Sequence, residues 1–464
     1  MHDKFGFKEG SYTLFNYFDT NPVDFNFNSK LADITVRDVN SILLWWTIEI
    51  DEKGNYHWDD YDRFINYAVH SGKRVIIQLH GGNTLYDLPG TVYPLEEFAY
   101  RKAASDGGYD PDLFPEGYAP YSGKDADPGF DYRLERVNGW LDFVEAAVRR
   151  YGNRVTTWEI WNEENLIGYW QPVIDADRYS ALVNATAARI RSVQPGAYII
   201  MGGLCMFPGW RTFMEECLDN NVLDSVDAVG IHPYRSSPEA YFDIDPDPGY
   251  GADFHDEIQD IRDRLALRKP GVDLWDTEAG YINFDYATSE NDTAQAKWLT
   301  RSMLNEHAEG LKGCHYFKYG AHRDGELFDG LVYDDAPYEA SPAFLAFQEI
   351  ARLIGPQRIV YDRMLVKNIG GDDVMILIYH DTGDADALKP VMAYWIIEAI
   401  DDTEKAMRYK EILFDDVTGS HTYRLRDVLS QEDLDPGVPA VNAGGTTFDN
   451  LPVTDYPMIL YTEN

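Results

Sequence analysis

The chain is poor in basic residues, and it has no long apolar run. Of its 464 residues, 40 are Lys or Arg and 79 are Asp or Glu, which gives a formal net charge of −39. Phosphate groups bind basic surfaces, so this balance argues against nucleic-acid and anionic-membrane partners. No apolar run approaches the roughly 20 residues of a membrane span. The acidic excess is typical either of a soluble acidic enzyme or of adaptation to high salt, which screens self-repulsion.

Cysteine is also scarce, with only Cys205, Cys217 and Cys314 present. An odd number cannot all pair within one chain, and none stands at the spacing of metal ligands. We interpret them as small buried apolar side chains. The N-terminus (residues 1–6) lacks the basic and apolar regions of a signal peptide. We therefore expect a cytoplasmic protein, or a secreted one whose signal peptide has been removed.

What the chain does have is a regular alternation of strand-like and helical patterns. Apolar runs such as 74–80 are typical of parallel strands buried on both faces. Helical periodicity follows such runs, as at 58–71 and 176–193. Eight strand-then-helix units end near Pro356, and this predicts an α/β fold with a closed (β/α)8 TIM barrel. The predicted strands are 11–18, 41–50, 74–80, 155–163, 197–201, 226–232, 272–278 and 313–319.

The pattern changes after Pro356. Short strand-like runs lie at 374–379, 391–397 and 458–461. Turn-rich segments separate them, and no helical pattern lies between. We predict a barrel domain over 1–356 and an accessory antiparallel β-sandwich domain over 357–464. Pairing of residues 1–14 with the second domain is an alternative that stays open.

A long insertion at 81–130 is rich in Gly, Pro, Tyr and Asp. A loop of this length inside a compact domain is usually functional or disordered. Its tyrosines, together with the nearby Trp170, favour a wall that faces substrate.

Two acidic side chains stand at the ends of predicted strands. Glu163 ends the run that begins at Val155, and Glu278 ends the run that begins at Val272. The chain between them has room for about three strand-plus-helix units. Buried carboxylates are costly unless they are hydrogen-bonded or useful. A structural carboxylate paired with an Arg is the alternative, most of all for Glu159. At the carboxyl ends of barrel strands, the pair would instead face each other across the active mouth.

The predicted mouth carries further polar and aromatic side chains. Besides the two glutamates they are His80, Trp161, Asn162, His232, Tyr234, Lys318 and Tyr319. Aromatic faces cover the apolar faces of a pyranose, while polar groups bind its hydroxyls. A retaining glycosidase needs one carboxylic acid to protonate the leaving oxygen and one carboxylate to attack the anomeric carbon. The set therefore favours a carbohydrate substrate and requires neither metal nor cofactor.

Three motifs, each at the end of a predicted strand, are similar to those of the clan A glycoside hydrolases. They are Trp161-Asn162-Glu163, His232-Pro233-Tyr234 and Thr277-Glu278. Within the clan, the run 158–166 resembles the β-xylosidase and α-L-iduronidase family, family 39. The C-terminal β domain and the run 341–343 fit that family too.

The resemblance implies roles for individual residues. Glu163 would be the acid/base and Glu278 the nucleophile. Asn162 would donate to the sugar 2-hydroxyl or to the nucleophile, while His232 and Tyr234 would orient Glu278. Glu164 is a rival for the first role, but the preceding Asn favours Glu163. The implied activity is retaining hydrolysis of a plant or algal oligo- or polysaccharide.

Some positions depart from the clan pattern. The clan usually has an Arg on the second strand beside the nucleophile, where this chain reads Leu43 to Trp46. This departure motivates a second hypothesis, a carbohydrate-binding protein built on an inactive barrel. Lys318 favours either an acidic or sulfated sugar or a salt bridge to a loop Asp.

A third hypothesis is a metal-dependent hydrolase, with His80, His232 and the two glutamates as ligands. No His-x-His spacing supports it, and we expect no metal. The sequence leaves open whether the chain forms a homo-oligomer.

Overall fold

The residues with a defined placement cover most of the barrel strands and their helices. The structure is a computed structural model that describes residues 2–9, 36–86, 130–167, 169–170, 174–235, 237–239, 254–281, 292–317, 320–321, 330–333, 339–354, 358–360, 365–381, 390–398, 400, 407–415, 417 and 421–462. The predicted first strand at 11–18 and most of the insertion at 81–130 lie outside these residues.

Parallel strands form the first part of the fold. They are β1 His2–Glu9, β2 Val36–Leu44, β3 Arg74–His80, β4 Thr157–Ile160, β5 Tyr198–Cys205, β6 Ala228–His232, β7 Asp273–Ala279 and β8 Cys314–Phe317. Each pairs with the next, and β8 also pairs with β1, so these strands close into a barrel. The predicted class, an α/β fold with a parallel barrel, is confirmed.

Helices connect the strands from β2 onward. They are α1 Trp45–Ile48, α2 Asp59–His70, α3 Phe130–Tyr151, α4 Ala176–Val193, α5 Trp210–Asp219, α6 Phe254–Arg268, α7 Asp292–Ala308 and α8 Pro342–Ile354. The sequence located α4 well because its N-cap residue Asp175 accepts a hydrogen bond from the Arg178 amide. Within the described ranges, no helix combines the length and the apolar character that crossing a bilayer would need.

The second strand lies earlier in the chain than predicted. The expected strand at 41–50 is the end of β2 followed by the short helix α1. An apolar run fits either a strand or a buried helix, so periodicity could not separate the two. Packing decides the outcome, since Trp45 leaves the barrel wall and stacks with Phe143 at 6.0 Å between ring centroids.

The start of the chain also differs from one expectation. β1 pairs with β2 and β8. Pairing of these first residues with the C-terminal β domain is therefore wrong for His2–Glu9. The parallel register places β1 where it closes the barrel.

Buried side chains of the barrel strands form a small apolar cluster and a polar pair. Ile76, Ile200, Ala228 and Trp275 make up the cluster. The buried Glu159 accepts a hydrogen bond of 2.9 Å from the Asn40 amide group. The structural interpretation of Glu159 is thus supported, but its partner is an amide rather than the expected Arg.

Further strands follow the barrel strands in the described part of the chain. Two short ones, β9 Gly320–Ala321 and β10 Val332–Tyr333, pair in parallel and precede α8. Then follow β11 Arg358–Val360, β12 Leu365–Ile369, β13 Asp372–Asp381, β14 Val391–Ile396, β15 Arg408–Asp415, β16 Tyr423–Asp427, β17 Asp433–Leu434, β18 Ala440–Asn442, β19 Gly445–Val453 and β20 Met458–Thr462. The strands from β11 to β20 form a seven-stranded and a three-stranded antiparallel sheet.

The two antiparallel sheets share an apolar cluster. It contains Ile376 of β13, Tyr394 of β14, Phe414 of β15 and Phe448 of β19. The other face of β13 and β14 packs on the barrel side, where Trp395 joins the main core. The sequence missed β15 because its outer face is polar and exposed, which weakens the apolar signal of a strand.

Candidate active site

Glu163 is placed by a turn rather than by a strand. β4 ends at Ile160, and both Trp161 (φ 74°) and Glu163 (φ 47°) adopt left-handed backbone conformations. Such values are uncommon for residues other than glycine and cluster at functional sites. The Glu163 amide donates to the Gly203 carbonyl of β5 at 3.1 Å. The alternation of faces along the strand therefore stops before Glu163, and the turn directs its side chain.

Asn165 fastens this turn to the neighbouring strand. Its side-chain amide donates to the Cys205 carbonyl at 2.7 Å, and its oxygen accepts from the Cys205 amide at 3.0 Å. A two-way bond of this kind fixes both the position and the rotation of the turn. The sequence contained a signal for it, because Asn165 is part of the 158–166 run, but no role was assigned there.

Glu278 lies near the end of β7, where the strand pairing is irregular. The Tyr234 hydroxyl donates to Glu278 Oε1 at 2.6 Å. Burial, and then the nearby Glu278 carboxylate, raises the pKa of Tyr234 well above its usual value. The phenol therefore keeps its proton and remains a donor to Glu278.

His232 lies between the two carboxyl groups. Its Nδ1 is 3.0 Å from Glu163 Oε1 and 3.9 Å from Glu278 Oε2. One oxygen of each carboxyl and this nitrogen all lie within 4.8 Å of one another. Gly203 makes room for the ring, since a Cβ there would come within 2.0 Å of His232 Nε2. The carboxyl ends of β4, β6 and β7 thus meet at one point.

The same three groups are also spaced closely enough to hold a metal ion. The metal hypothesis named His80 as a fourth ligand, and His80 is not part of this cluster. Among the described residues, no other cluster of His, Cys, Asp and Glu has such spacing.

Aromatic rings line the mouth next to Glu163. The His80 ring centroid lies 5.0 Å from that of Trp161, 6.1 Å from that of Tyr169 and 6.2 Å from that of Trp46. Trp46 is 37% exposed and covers Gly81, where a Cβ would come within 2.1 Å of its ring. Sequence reasoning noticed Trp46 only as a departure from the clan pattern. The structure adds it to this aromatic surface.

The remaining predicted site residues have different outcomes. Asn162 is buried in the turn that carries Glu163. Lys318 and Tyr319 lie outside the described residues. The structure therefore brings together Glu163, Glu278, His232 and Tyr234, with His80, Trp161 and Asn162 beside them, while the roles of all these residues stay predictions.

Glu164, the rival acid, faces away from this cluster. Its carboxyl lies against Gly202, where a Cβ would come within 2.3 Å of Oε1 and 2.5 Å of the Tyr179 hydroxyl. Burial raises the pKa of Glu164 to about 8, with smaller contributions from the charges of Glu159 and Glu163. The Tyr179 hydroxyl beside it donates to the Ile160 carbonyl at 2.9 Å, so neither Glu164 oxygen has a donor among the described residues.

Replacing Glu164 with Gln is expected to stabilise the protein at high pH. In the unfolded chain this carboxyl has a pKa near 4.3, so between that value and about 8 the folded state holds the extra proton. The stabilisation that this proton provides is complete below the pKa of the unfolded chain and is lost as the pH rises through the pKa of the folded state. Since Gln cannot ionise, the Glu164→Gln variant should gain up to a few kcal/mol over the wild type by about pH 9. Urea unfolding from about pH 5 to pH 9 measures this gain.

The exposed Glu216 on α5 provides the control for this experiment. Glu216→Gln removes the same charge without a buried carboxyl, so its effect should change little with pH. A Glu164→Gln effect of the same size across the pH range would contradict the buried neutral carboxyl.

The fold and the cluster together define a class of protein. A closed parallel barrel whose fourth and seventh strands each lead to a carboxyl at the mouth is an architecture suited to two-carboxylate chemistry.

No family model matches the sequence. A curated β-xylosidase from Geobacillus stearothermophilus is 36% identical over 110 residues. That match spans 21% of this chain and 21% of the relative, about a fifth of its length.

Solved structures cover nearly the whole chain. The chain is similar to a family 39 glycoside hydrolase from Bacteroides cellulosilyticus WH2, with a TM-score of 0.67, 19% identity, and 99% of this chain and 81% of that one covered. It is similar to a monomeric β-xylosidase from Caulobacter crescentus CB15, with a TM-score of 0.59, 14% identity, and 99% and 96% covered. It is also similar to GH30 xylanase C from Talaromyces cellulolyticus, with a TM-score of 0.61, 13% identity, and 99% and 96% covered. The predicted resemblance to family 39 is confirmed, and at these identities it establishes the fold.

Proposed function

We propose that this protein is a retaining glycoside hydrolase of the β-xylosidase-like kind. The observation that carries the proposal is the meeting of Glu163, His232 and Glu278, whose facing atoms all lie within 4.8 Å. Two carboxyl groups so placed, one on each side of a sugar's anomeric centre, are the minimal equipment for glycoside hydrolysis.

The separation of the two carboxyl groups favours retention over inversion. An inverting enzyme keeps them about 6.5–9.5 Å apart to admit a water molecule, whereas a retaining enzyme keeps them about 5–5.5 Å apart. One oxygen of Glu163 and one of Glu278 lie within 4.8 Å of each other, which supports the shorter separation. Glu278 is then close enough to attack the anomeric carbon directly.

In the first step, Glu278 attacks the anomeric carbon while Glu163 protonates the leaving oxygen. The Tyr234 hydroxyl donates to Glu278 Oε1, which leaves Oε2 as the attacking atom. Tyr234 thereby orients the nucleophile and favours its ionised form. Glu278 therefore has a hydrogen-bond donor without the clan's second-strand Arg, so the missing Arg does not by itself imply an inactive barrel.

In the second step, Glu163 changes from acid to base. After it has given up its proton, the resulting carboxylate faces His232 Nδ1 at 3.0 Å. A donated hydrogen bond from His232 stabilises that carboxylate, which then removes a proton from the attacking water. Hydrolysis of the glycosyl-enzyme bond releases the sugar with its original anomeric configuration.

The expected substrate is a plant or algal oligo- or polysaccharide. The aromatic surface formed by Trp46, His80 and Trp161 lies on the acid/base side of the site. Such rings suit the apolar faces of a pyranose. Its position favours contact with the leaving part of the saccharide rather than with the sugar that becomes bound to Glu278.

The proposed enzyme consists of two domains. We infer a (β/α)8 barrel domain over residues 1–356 and a β-sandwich domain over 357–464. The strand pairing from β1 to β8 supports the first, and the apolar cluster shared by the two antiparallel sheets supports the second.

The test is to trap the intermediate with a 2-deoxy-2-fluoro β-xyloside that carries a good leaving group. We expect time-dependent inactivation, with the added mass on the peptide that contains Glu278. Proton NMR during turnover of an aryl β-xyloside should show the β-anomer of the product first. An α-anomer as first product, or a label on another carboxyl, would contradict the retaining assignment.

A further inference from the structure

A second group of buried charges lies behind the nucleophile, on the outer side of β7. Asp276 is fully buried, and its Oδ1 accepts a hydrogen bond of 2.9 Å from the Glu278 amide. Its side chain therefore holds the backbone of the residue that would attack the sugar. None of the sequence motifs pointed to Asp276, because its partners come from remote parts of the chain.

Asp276 shares its site with a second buried carboxyl, that of Glu306 on α7. The two side chains are neighbours, because the Glu306 carboxyl contributes to the pKa shift of Asp276. Two neighbouring buried carboxylates repel each other unless a proton lies between them. One oxygen of each, Asp276 Oδ2 and Glu306 Oε2, has no donor among the described residues. A single proton shared between the two carboxyl groups explains why neither of these oxygens has another donor. Burial, followed by the Glu306 charge, raises the pKa of Asp276 well above its usual value.

Arg235 balances the remaining negative charge. One of its terminal nitrogens lies 3.1 Å from Glu306 Oε1 and 3.0 Å from Ser302 Oγ. The side chain is 3% exposed, so water contributes little to this balance. With one proton between the two acids, Arg235, Asp276 and Glu306 sum to zero charge. A neutral buried unit avoids most of the cost of burying an isolated ion.

The same guanidinium fixes the loop that carries Tyr234. It donates to the Pro233 carbonyl at 2.7 Å and to the Pro238 carbonyl at 3.1 Å. These two carbonyls stand on either side of Tyr234 in the chain. Arg235 therefore sets the position of the phenol that donates to Glu278.

The loop is tied in turn to the C-terminal sheets. Glu239 at its far end accepts a hydrogen bond of 2.8 Å from the indole of Trp395 on β14. The Arg301 guanidinium on α7 also donates to Glu239, and to the Asp455 carbonyl near β20 at 3.2 Å. The seven-stranded sheet thus contacts the loop beside the active site through buried polar bonds.

We propose that Asp276, Glu306 and Arg235 act as one neutral positioning unit that holds the backbone of Glu278 and the loop of Tyr234, and that Glu239 connects this unit to the C-terminal sheets. These are positioning residues, since they act through Glu278 and Tyr234. The inference rests on the proposed function, and it assigns to the C-terminal sheets a part in aligning the nucleophile.

The shared proton leads to a specific pattern among amide variants. Asp276→Asn and Glu306→Gln each keep the hydrogen bonds and leave one carboxylate for Arg235. Each should keep kcat within roughly a factor of three of the wild type, because the nucleophile stays in place. The double variant leaves Arg235 without a counter-charge, and Asp276→Ala removes the bond to the Glu278 amide. Both should lower kcat roughly 10- to 100-fold with little change in KM.

The control uses a buried ion pair outside the unit, which joins Lys297 of the same helix to Asp455 before β20. Lys297 bonds Asp455 at 2.8 Å, and both side chains are fully buried. Lys297→Met leaves Asp455 as an unpaired buried charge, so it should lower the unfolding midpoint without a comparable loss of kcat. A loss of kcat in step with stability across all variants would overturn the positioning role.

Infrared difference spectra supply a readout that does not depend on turnover. The shared proton should give a carboxylic-acid C=O band in the wild type that is reduced in Asp276→Asn but is not reduced in Lys297→Met. An unchanged band in Asp276→Asn would overturn the shared proton, even if Asp276→Ala fails to fold. Wild-type protein that shows the band but cleaves no glycoside would instead contradict the proposed function alone.

Discussion

Replacement of Glu278 with Ala is expected to lower kcat/KM by a factor on the order of 10⁵, the range seen when enzymes lose a nucleophile. The side chain lies on β7 with its Oε2 directed to the centre of the cluster and its Oε1 held by Tyr234. Ala removes the attacking oxygen but leaves the opposed acid in place. The vacated space should admit a small anion, so azide is expected to restore turnover and to give the glycosyl azide of inverted configuration. Steady-state kinetics on an aryl β-xyloside and NMR of the azide product measure these results.

Asp273 offers a matched control at the other end of the same strand. It bonds the Tyr198 hydroxyl at 2.7 Å on the far side of the barrel from the mouth. Asp273→Asn should therefore keep turnover near the wild-type value. Undiminished activity in Glu278→Ala, or a glycosyl azide of retained configuration, would end the assignment of Glu278 as nucleophile.

Replacement of Glu163 with Ala should also lower the reaction rate strongly, and the size of this loss should depend on the leaving group. A general acid contributes typically 10²–10⁴ to the rate, so sluggish alkyl leaving groups should lose about that much. Aryl leaving groups need little protonation, and for them the loss should lie mainly in the second step, which lacks its base. Azide needs no base, so it should accelerate that step and give the azide of retained configuration. The measurement is a series of leaving groups with and without azide.

The neighbouring Glu164 is the control for Glu163. It is buried against Gly202 and Tyr179, away from His232. Glu164→Gln should keep the dependence on leaving group that the wild type shows. If Glu164→Gln responded to azide and Glu163→Ala did not, the two residues would exchange roles.

Several elements could be predicted from local pattern alone. β3 was predicted at Arg74–His80 and α4 at Ala176–Val193, and both have these bounds in the structure. In such segments the apolar period and the capping residue agree, so propensity and packing favour the same structure. The boundary between β2 and α1 was wrong because an apolar run is equally compatible with either element.

The candidate site was predictable to the level of which residues follow which strands. Glu163, His232 and Glu278 were expected at one mouth because parallel strands present their carboxyl ends together. Their distances were not predictable. Glu163 reaches His232 only because two residues turn left-handed and Gly203 lacks a side chain, and both conditions depend on a neighbouring strand.

By itself, the sequence predicted the alternation of strands and helices, and it singled out the acid that follows β4 and the acid near the end of β7. These follow from periodicity and local motifs, which act over a few residues. Only the tertiary structure decided that Glu163 faces His232 while Glu164 is buried, and that Asp276, Glu306 and Arg235 meet behind Glu278. The reason is physical: the burial, charge and hydrogen bonds of a side chain are set by groups that are distant in the chain, and packing alone brings those groups together.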